Sequence, residues 1–273
     1  MTYSAKVIAD SVNPNGDRLT TMAVTLPHAV LPQLLMHRAL SRSSASTRAI
    51  PTLKAVDNTV DNEFTPLFYG KNQPGMQALE SLSEADIELT RQEWLDLAEI
   101  TRNYVRVWAG RGLHKQIAAR PLLWFSWTTV LVTATDWDNF FELRCPEDDF
   151  LFDPKFPAQP EIQQVAIEMW NALCASRPKK LRIGEYHLPY ITAADEDAEW
   201  KEISNFSYVS AARCARVSYL NHEGGRDLLK DIQLAVKLRH DKHWNPFEHV
   251  AQAAAPGRYR NFSGWRQLRD ILE

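Results

Sequence analysis

The feature that most constrains this chain is a turn signal between two strand-like segments near its start. The segments AKVIADSV (5–12) and RLTTMAVTLP (18–27) flank the pentapeptide NPNGD. Its dipeptide Asn15-Gly16 is typical of tight hairpin turns, because asparagine and glycine tolerate the positive φ angles that such turns need. The sequence therefore predicts a β-hairpin, and the fold must contain an antiparallel pair of strands.

Helical periodicity governs much of the remaining chain. The longest case runs from Ser83 to about Gly110, where Ser83 and Asp86 have the spacing of a capping box, with Asp in place of the usual Glu. Apolar residues at helical spacing predict the buried face of this helix: Ile87, Trp94, Leu97, Ile100, Tyr104 and Val107. Other helices are predicted at 29–41 (with Val30, Leu34 and Leu35 as its apolar face), 114–120, 136–144, 160–176, 206–220 and 225–240.

The segments between these helices are less informative. Residues 52–83 have an irregular pattern, 177–205 has the composition of a long loop, and 250–273 is ambiguous. The apolar and aromatic run 121–135 must be interior or lie at an interface. A hairpin combined with several long helices indicates the α+β class with an antiparallel sheet. No clean linker interrupts the chain, so we expect a single domain over 1–273.

Composition and charge limit the class of protein. Of the 273 residues, 45% are hydrophobic and 24% are charged, which is typical of a globular protein. The net charge of −3 argues against a general nucleic-acid binder, because such affinity rests on many phosphate contacts. The three cysteines form no CxxC pair, so neither a disulfide framework nor a zinc cluster is indicated. Without a secretory signal or a long apolar stretch, we expect a cytoplasmic protein with no membrane segment.

A segment rich in serine and arginine, HRALSRSSASTRAIP (37–51), follows the first predicted helix. Forked guanidinium donors and serine hydroxyls match the oxygens of a phosphate group, so Arg38, Arg42 and Arg48 make this segment a candidate anion site. A solvated loop with helix-capping serines is the alternative that the composition leaves open.

Two further segments carry polar groups beside aromatic residues. HWNPFEHV (243–250) leaves open a metal site or a helix-capping turn, although the spacing of His243 and His249 suits no usual pair of helical ligands. In DWDNFFELR (136–144), a buried asparagine or arginine would need partners in the protein or in a planar polar ligand. The motifs GxGxxG, GxxxxGK[ST] and HExxH are absent, and no histidine lies near Cys145 in sequence to activate it.

Together these segments resemble the flavin-dependent thymidylate synthases, the ThyX family. That family has His-Arg, then seven residues, Ser, and Arg two residues later. The matching residues here are Gln33, His37, Arg38, Ser46 and Arg48. Three segments are similar to the family's flavin-contacting or pyrimidine-contacting segments, and a fourth to the start of a helix: RVS (216–218), NPFEH (245–249), NFFELR (139–144) and, for the helix, AQPEIQ (158–163).

The resemblance implies a ThyX-like fold that assembles as a homotetramer, with FAD at the subunit interfaces and active sites shared between chains. It implies transfer of a methylene group from methylenetetrahydrofolate to carbon 5 of dUMP. Reduction of that group by a hydride from FAD gives dTMP, and NADPH reloads the flavin. The partners are thus a pyrimidine deoxynucleotide monophosphate and further copies of this chain, with no metal, nucleic acid polymer or membrane.

The resemblance also implies roles for single residues. Catalytic roles fall to Arg144, Ser46 and Arg120, and Arg144 would stabilise negative charge as carbon 5 becomes nucleophilic. The nucleotide would be bound by Gln33, Ser46, Arg48, Arg120 and Arg144. The flavin would be bound by His37, Arg38, Asn139, Ser218, Asn245 and Glu248. His243 would lie near the folate or the reductant, or is a surface histidine.

The chain departs from the family pattern in its order and in detail. The RVS and NPFEH segments, within 206–250, follow the HR/Ser and NFFELR segments of 1–175, whereas RVS and PFEH usually precede HR/Ser, so the chain reads as circularly permuted. Met36 stands where Arg is usual, and Ser43-Ser44 where Asn-Glu is usual.

These departures leave two alternatives to dTMP synthesis open. One is the same chemistry on another pyrimidine nucleotide such as dCMP, with a methyl or hydroxymethyl product. The other is a non-catalytic ThyX-like or nucleic-acid-binding protein.

Overall fold

A computed structural model describes residues 2–146, 156–196, 206–218 and 227–273 of the protein. The predicted hairpin is confirmed. Strands β1 (Ser4–Val12) and β2 (Arg18–Pro27) pair antiparallel, with a break in the register between Val7 and Ala9. The turn between them contains Gly16 at a φ angle of 91°, which is the conformation that favours glycine.

The hairpin belongs to a five-stranded sheet with the order β3-β4-β2-β1-β5. Its other strands are β3 (Ser41–Ser44), β4 (Trp127–Ala134) and β5 (Lys179–Lys180). Strand β4 pairs antiparallel with both β2 and β3, and the short β5 pairs parallel with β1. The apolar run 121–135 thus supplies an inner strand of this sheet.

A second sheet of three antiparallel strands forms from the C-terminal part of the chain. It contains β6 (Tyr186–His187), β7 (Ala251–Tyr259) and β8 (Phe262–Gln267), in that order. The ambiguous tail 250–273 is therefore mostly strand, and the predicted loop 177–205 contains β5 and β6. Residues 197–205 of that loop lie outside the described part of the chain.

Helices surround the two sheets. In chain order they are α1 (Leu31–Leu35), α2 (Thr52–Asp61), α3 (Glu84–Gly110), α4 (Lys115–Ala118), α5 (Asp138–Glu142), α6 (Pro160–Ala175), α7 (Ala193–Glu196), α8 (Phe206–Ala215), α9 (Leu228–His240) and α10 (Leu268–Leu272). Short 3-10 helices lie at His28–Val30, Thr47–Ala49, Arg120–Phe125, Arg216–Ser218 and Asn245–Glu248. This mixture of helices and largely antiparallel sheet confirms the α+β class.

The main core lies between the hairpin and α6. Met22, Val24 and Leu26 on β2 pack with Val165 and Met169 on α6, and all five are fully buried. A separate cluster joins α8, α9, α10 and the Asn245–Glu248 segment. Among the described helices, none has both the length and the apolar character that crossing a bilayer requires.

The predicted helix 29–41 is wrong in its extent. It ends as α1 at Leu35, because the guanidinium of Arg42 folds back and donates to the carbonyl oxygens of Leu35 and His37. A cation on the last carbonyl groups terminates a helix favourably. The following residues are thereby free to extend into the edge strand β3. Of the predicted apolar face, Val30 and Leu34 are buried, but Leu35 is 37% exposed.

The long helix α3 and its Ser83 cap are confirmed, but its predicted buried face is wrong. Ser83 Oγ accepts from the backbone N–H of Asp86. The face toward the protein carries Ala98, Arg102 and Val105, because Arg102 forms a buried ion pair with Glu63 at 2.8 Å. Of the predicted stripe, Ile87 and Trp94 are half-buried, and the other four are exposed: Leu97, Ile100, Tyr104 and Val107. The supposedly irregular 52–83 also contains α2.

The hairpin turn is fastened to β8 by a polar clamp. Asn13 Nδ2 donates to the carbonyl oxygen of Gly264, and Trp265 Nε1 donates to the carbonyl oxygen of Asp17. Gly264 has a φ angle of 68°, and a Cβ there would lie 2.0 Å from Asp17 Oδ2 and 2.3 Å from Asn13 Nδ2. Only glycine satisfies both the backbone conformation and the close approach.

We expect Gly264→Ala to lower the free energy of unfolding by about 2–4 kcal/mol, since backbone strain adds to the displaced hydrogen bonds of Asn13. Gly16→Ala is the matched control. It also has a positive φ, but nothing lies within 4 Å of the added Cβ, so strain of about 1–2 kcal/mol should be its whole effect. Urea unfolding of both variants checks this, and equal losses would show that the clamp contributes nothing.

Candidate active site

Three segments that are far apart in sequence meet at the edge strand β3. The 3-10 helix Arg216–Ser218 lies against β3 and β4, and the 3-10 helix Asn245–Glu248 lies against β3 and α8. These are the RVS and NPFE parts of the segments that resemble the flavin-contacting ones. The fold therefore places them beside the serine- and arginine-rich segment, whatever their order along the chain.

An open cleft of about 510 Å³ lies beside the other end of this segment. Its lining includes Ser44, Ser46 and Arg48 of the serine- and arginine-rich segment. It also includes Arg120 and Trp124 of the 3-10 helix Arg120–Phe125. The cleft thus unites three of the five predicted nucleotide-binding residues. Two cationic side chains with exposed guanidinium groups and two serine hydroxyls suit an anionic ligand. Of the two alternatives for residues 37–51, a solvated loop and an anion site, this grouping favours the anion site, which stays a prediction.

Arg144 and His37 form a second predicted group, packed around an aromatic ring. The Arg144 guanidinium lies 5.0 Å from the centroid of the Phe140 ring, and the His37 ring meets the same ring edge-on at 5.4 Å. Among the described residues, Arg144 Nη1 and His37 Nε2 are buried without a hydrogen-bond partner. Burial lowers the pKa of both side chains, and the charge of Arg144 lowers that of His37 further.

The remaining predicted residues are placed less closely together. Gln33 does not line the cleft and donates instead to Gln159 Oε1 at 2.7 Å. Glu248 Oε1 accepts a hydrogen bond from Arg269 Nη1 at 2.7 Å. Burial lowers the pKa of Arg42 on β3, and the negative charge of Glu248 partly offsets this. The side chains of three predicted flavin residues and of His243 lie at the surface: Arg38, Asn139, Asn245 and His243. Ser218 ends the segment at β3, and its side chain is outside the described residues.

A chain of side-chain hydrogen bonds runs from β1 to β3 through the interior. We call it the hydroxyl–imidazole chain, and its members in order are Ser11, His187, Thr21, Thr133, His249 and Ser43. Successive polar atoms lie 2.7–2.9 Å apart: Ser11 Oγ to His187 Nδ1 at 2.9 Å, His187 Nε2 to Thr21 Oγ1 at 2.8 Å, Thr21 Oγ1 to Thr133 Oγ1 at 2.7 Å, Thr133 Oγ1 to His249 Nδ1 at 2.8 Å, and His249 Nε2 to Ser43 Oγ at 2.9 Å. Burial lowers the pKa of both imidazoles to about 3, so both are neutral at physiological pH.

Since hydroxyl groups occupy both nitrogens of His249, a metal site in 243–250 is not formed. In the described part of the chain, no three His, Cys, Asp or Glu side chains come together as metal ligands. No local pattern in the sequence points to His187, Thr21 or Thr133, because their hydrogen-bond partners lie on other elements.

A buried ion network fixes the Arg216–Ser218 segment. Arg213 on α8 donates to both carboxylate oxygens of Asp195 and to Asp231 on α9, each at 2.9 Å. Arg216 lies 2.6 Å from the other oxygen of Asp231. Burial raises the pKa of Asp195, but hydrogen bonds from Arg213 and Thr192 outweigh it and lower that pKa to about 2. Both arginines of this network have a carboxylate partner, whereas the described residues give Arg144 Nη1 no hydrogen-bond partner.

This contrast predicts opposite effects of the same substitution. Arg144→Met should leave the free energy of unfolding unchanged or raise it by up to about 1 kcal/mol, because it removes a half-buried guanidinium whose Nη1 atom has no hydrogen-bond partner among the described residues, and methionine also packs well on Phe140. Arg213→Met, the matched control, should cost about 3–5 kcal/mol, because it strands two carboxylates. Thermal and urea unfolding of the ligand-free proteins measure both. A large loss in Arg144→Met would mean that Arg144 is structural.

Comparisons with known proteins come from three directions. Residues 19–179, more than half of the chain, match the thymidylate synthase complementing protein family. A comparison with curated proteins found no match. The match ends before the RVS and NPFEH segments, so the permuted order stays a prediction.

Similar solved structures include the UMP/dUMP methylase PolB from Streptomyces cacaoi in two complexes. With 5-Br UMP the TM-score is 0.49 and the identity 17%, over 63% of this chain and 89% of that one. With 5-Br dUMP the values are 0.48 and 15%, over 63% and 90%. The sequence match over 19–179 carries the assignment: this chain belongs to the thymidylate synthase complementing protein family, ThyX.

Proposed function

We propose that this protein transfers a one-carbon unit from methylenetetrahydrofolate to carbon 5 of dUMP and, with reduction by FADH2, gives dTMP. The observation that carries the proposal is the cleft in which Ser46, Arg48 and Arg120 come together. The family match supports the same class of reaction. The whole chain has a formal charge of −3. The two arginines of the cleft are therefore a local cationic site and not part of a surface that is positive throughout.

The cleft suits the phosphate end of a nucleotide. Guanidinium groups bind phosphate oxygens through two parallel hydrogen bonds, and both Arg48 and Arg120 line the cleft. The Nε of Arg120 donates to the carbonyl oxygen of Gln116, which orients the side chain. Ser46 and Ser44 add hydroxyl groups to the same lining. A monoanionic or dianionic phosphate would thus be held without a metal ion.

Arg144 suits the pyrimidine ring. Its guanidinium stays charged despite partial burial, and among the described residues its Nη1 atom has no hydrogen-bond partner. A cation held ready in this way can hydrogen-bond a ring carbonyl and stabilise negative charge that develops when carbon 5 attacks. The absence of an activated cysteine agrees with this, since the one fully buried thiol, Cys214, has its pKa raised by burial.

The residues around β3 are chemically suited to a flavin. His37 Nε2 is a buried ring nitrogen without a partner among the described residues, and Glu248, Asn245 and Ser218 belong to segments that contact or follow β3. These four, with Arg38 and Asn139, would hold FAD. When bound, the flavin supplies the hydride that reduces the transferred one-carbon unit. NADPH would restore it, and the exposed His243 would lie near the folate or the reductant.

The same chemistry on dCMP is a second candidate, because the residue at position 43 departs from the family pattern. Ser43 stands where the family usually has Asn, and its hydroxyl can donate or accept a hydrogen bond, so this position does not exclude a cytosine.

The test is the visible spectrum of the purified protein, followed by titration with dUMP and, separately, dCMP. Arg48→Gln and Arg120→Gln should each weaken nucleotide binding by about 10- to 100-fold, the value of a charge-assisted hydrogen bond, without loss of flavin. Arg177→Gln, an exposed arginine outside the cleft, is the control. Unchanged nucleotide affinity in both cleft variants would remove the cleft from the proposal. No flavin, even after FAD is added, would leave a non-catalytic protein.

We propose further that the protein assembles as a homotetramer through the outer face of α3. Four apolar side chains follow each other there at helical spacing and are 47–61% exposed: Leu97, Ile100, Tyr104 and Val107. Such a continuous apolar stripe on a long helix is typical of an interface, and a second copy of α3 presents the same stripe.

Ile100→Asp should therefore reduce the mass in solution from about four chains toward two, because it places like charges against each other at a symmetric contact that joins two chains, and a tetramer needs a second interface that this substitution does not touch. Ile183→Asp is the matched control, since Ile183 is 53% exposed and Ile100 is 55% exposed. Light scattering and sedimentation measure the mass. An unchanged mass in Ile100→Asp would exclude this face as the interface.

A further inference from the structure

The hydroxyl–imidazole chain connects the interior to the candidate site. Five of its six members are 0–5% exposed, and Ser43 is the partly exposed end. Its members lie on β1, β2, β4 and β6, on β3, and at His249 directly after the Asn245–Glu248 segment. Within the described residues, none of the six side chains has a hydrogen-bond partner outside the chain.

Each contact in this chain can carry one hydrogen atom. A neutral imidazole has one N–H donor and one bare nitrogen, and a hydroxyl group has one O–H donor. Two bare atoms, or two hydrogens, facing each other at 2.7–2.9 Å would leave a buried contact unsatisfied, which is costly. A threonine hydroxyl that accepted from both neighbours would keep its own buried O–H without an acceptor in the hydroxyl–imidazole chain, so all five hydrogen bonds point in the same direction along it.

The chain consequently has two complete arrangements. In the first, both histidines carry hydrogen on Nδ1, every bond points toward Ser11, and Ser43 donates to His249. In the second, both carry hydrogen on Nε2, every bond points toward Ser43, and Ser43 accepts from His249. The lone pairs of Ser43 face outward in the first arrangement, and its O–H is free to donate outward in the second.

We infer that Ser43 is a specificity-determining contact for the polar edge of a bound heterocycle, and that the chain lets its hydroxyl either donate or accept there. The inference rests on the proposed function. The ligand chemistry is a ring edge with carbonyl and N–H or amino groups, which a pyrimidine and an isoalloxazine share. Ser43 lies between Arg42 and the cleft residue Ser44, on the strand that the RVS and NPFE segments contact.

Ser11, at the far end of the hydroxyl–imidazole chain, can be substituted without removing a group that would contact the ligand. Ser11→Ala leaves His187 Nδ1 without a partner. A buried bare nitrogen is tolerated better than a buried N–H without an acceptor, so the variant favours hydrogen on Nε2 of both histidines. Ser43 would then donate outward. A uracil, which presents a carbonyl at position 4, should be retained, and a cytosine, which presents an amino group there, should be disfavoured.

The direct readout is the tautomer of the two histidines, measured by ¹⁵N NMR on histidine-labelled protein without ligand. We expect His187 and His249 to have the same tautomer in the wild type, and both to carry hydrogen on Nε2 in Ser11→Ala. Ser210→Ala is the matched control, because Ser210 is fully buried but donates to the carbonyl oxygen of Pro189 outside the chain. Opposite tautomers in the wild type would overturn the inference.

The functional readout is the dissociation constant of dUMP, dCMP and FAD for the wild type, Ser11→Ala, Ser43→Ala and Ser210→Ala. If the pyrimidine is the partner, Ser11→Ala should raise the ratio of the dCMP to the dUMP constant by about three- to tenfold, the value of one hydrogen bond. Ser43→Ala should weaken both nucleotides without that change of ratio. If the flavin is the partner, the FAD constant should change instead.

Constants unchanged in both Ser11→Ala and Ser43→Ala, with normal ligand binding by the wild type, would overturn this inference and leave the proposed function intact. A wild type that binds neither a nucleotide nor FAD would overturn both.

Discussion

The pairing of β4 with its two neighbours is the constraint on which the rest of the molecule depends. β4 pairs with β2 from Thr20↔Ala134 to Pro27↔Trp127, and β3 pairs with β4 alone. A slip of one residue in β4 would turn every side chain of that strand to the opposite face, and a slip of one residue in β3 would do the same there. Thr133 would then lose its contacts to Thr21 and His249, and Ser43 and Ser44 would exchange their directions. The candidate site is thus defined by the register of one inner strand.

Buried polar groups divide into those that the fold satisfies and those that it leaves for a ligand. Arg213, Asp195 and Asp231 satisfy each other, and the hydroxyl–imidazole chain is complete within itself. Arg144 and His37 remain without partners in the described structure. Unsatisfied buried polar atoms are costly, so these two side chains beside one aromatic ring are candidates for contact with a ligand.

Local signals were sufficient for the elements whose stability is local. The Asn15-Gly16 turn and the Ser83 cap placed the hairpin and α3. The serine and arginine residues of 37–51 predicted a candidate anion site, but not the strand in that segment, because β3 is polar and is held by β4. The outer face of α3 was assigned wrongly, since an apolar stripe has the same periodicity whether it meets a core or a partner. The roles of His187, Thr133 and Ser11 depend on contacts between strands, which no single sequence reveals.

The connection of Ser43 with His249 spans 206 residues, and this has a consequence for synthesis. A ribosome delivers β2, β3 and β4 long before it delivers the Asn245–Glu248 segment. During that interval β3 lacks its contact with the Asn245–Glu248 segment, and Thr133 lacks its hydrogen bond to His249. Exposed strand edges pair readily with other chains, and contacts of such long range form slowly. The yield of folded recombinant protein should therefore increase when growth is slower or when chaperones are supplied.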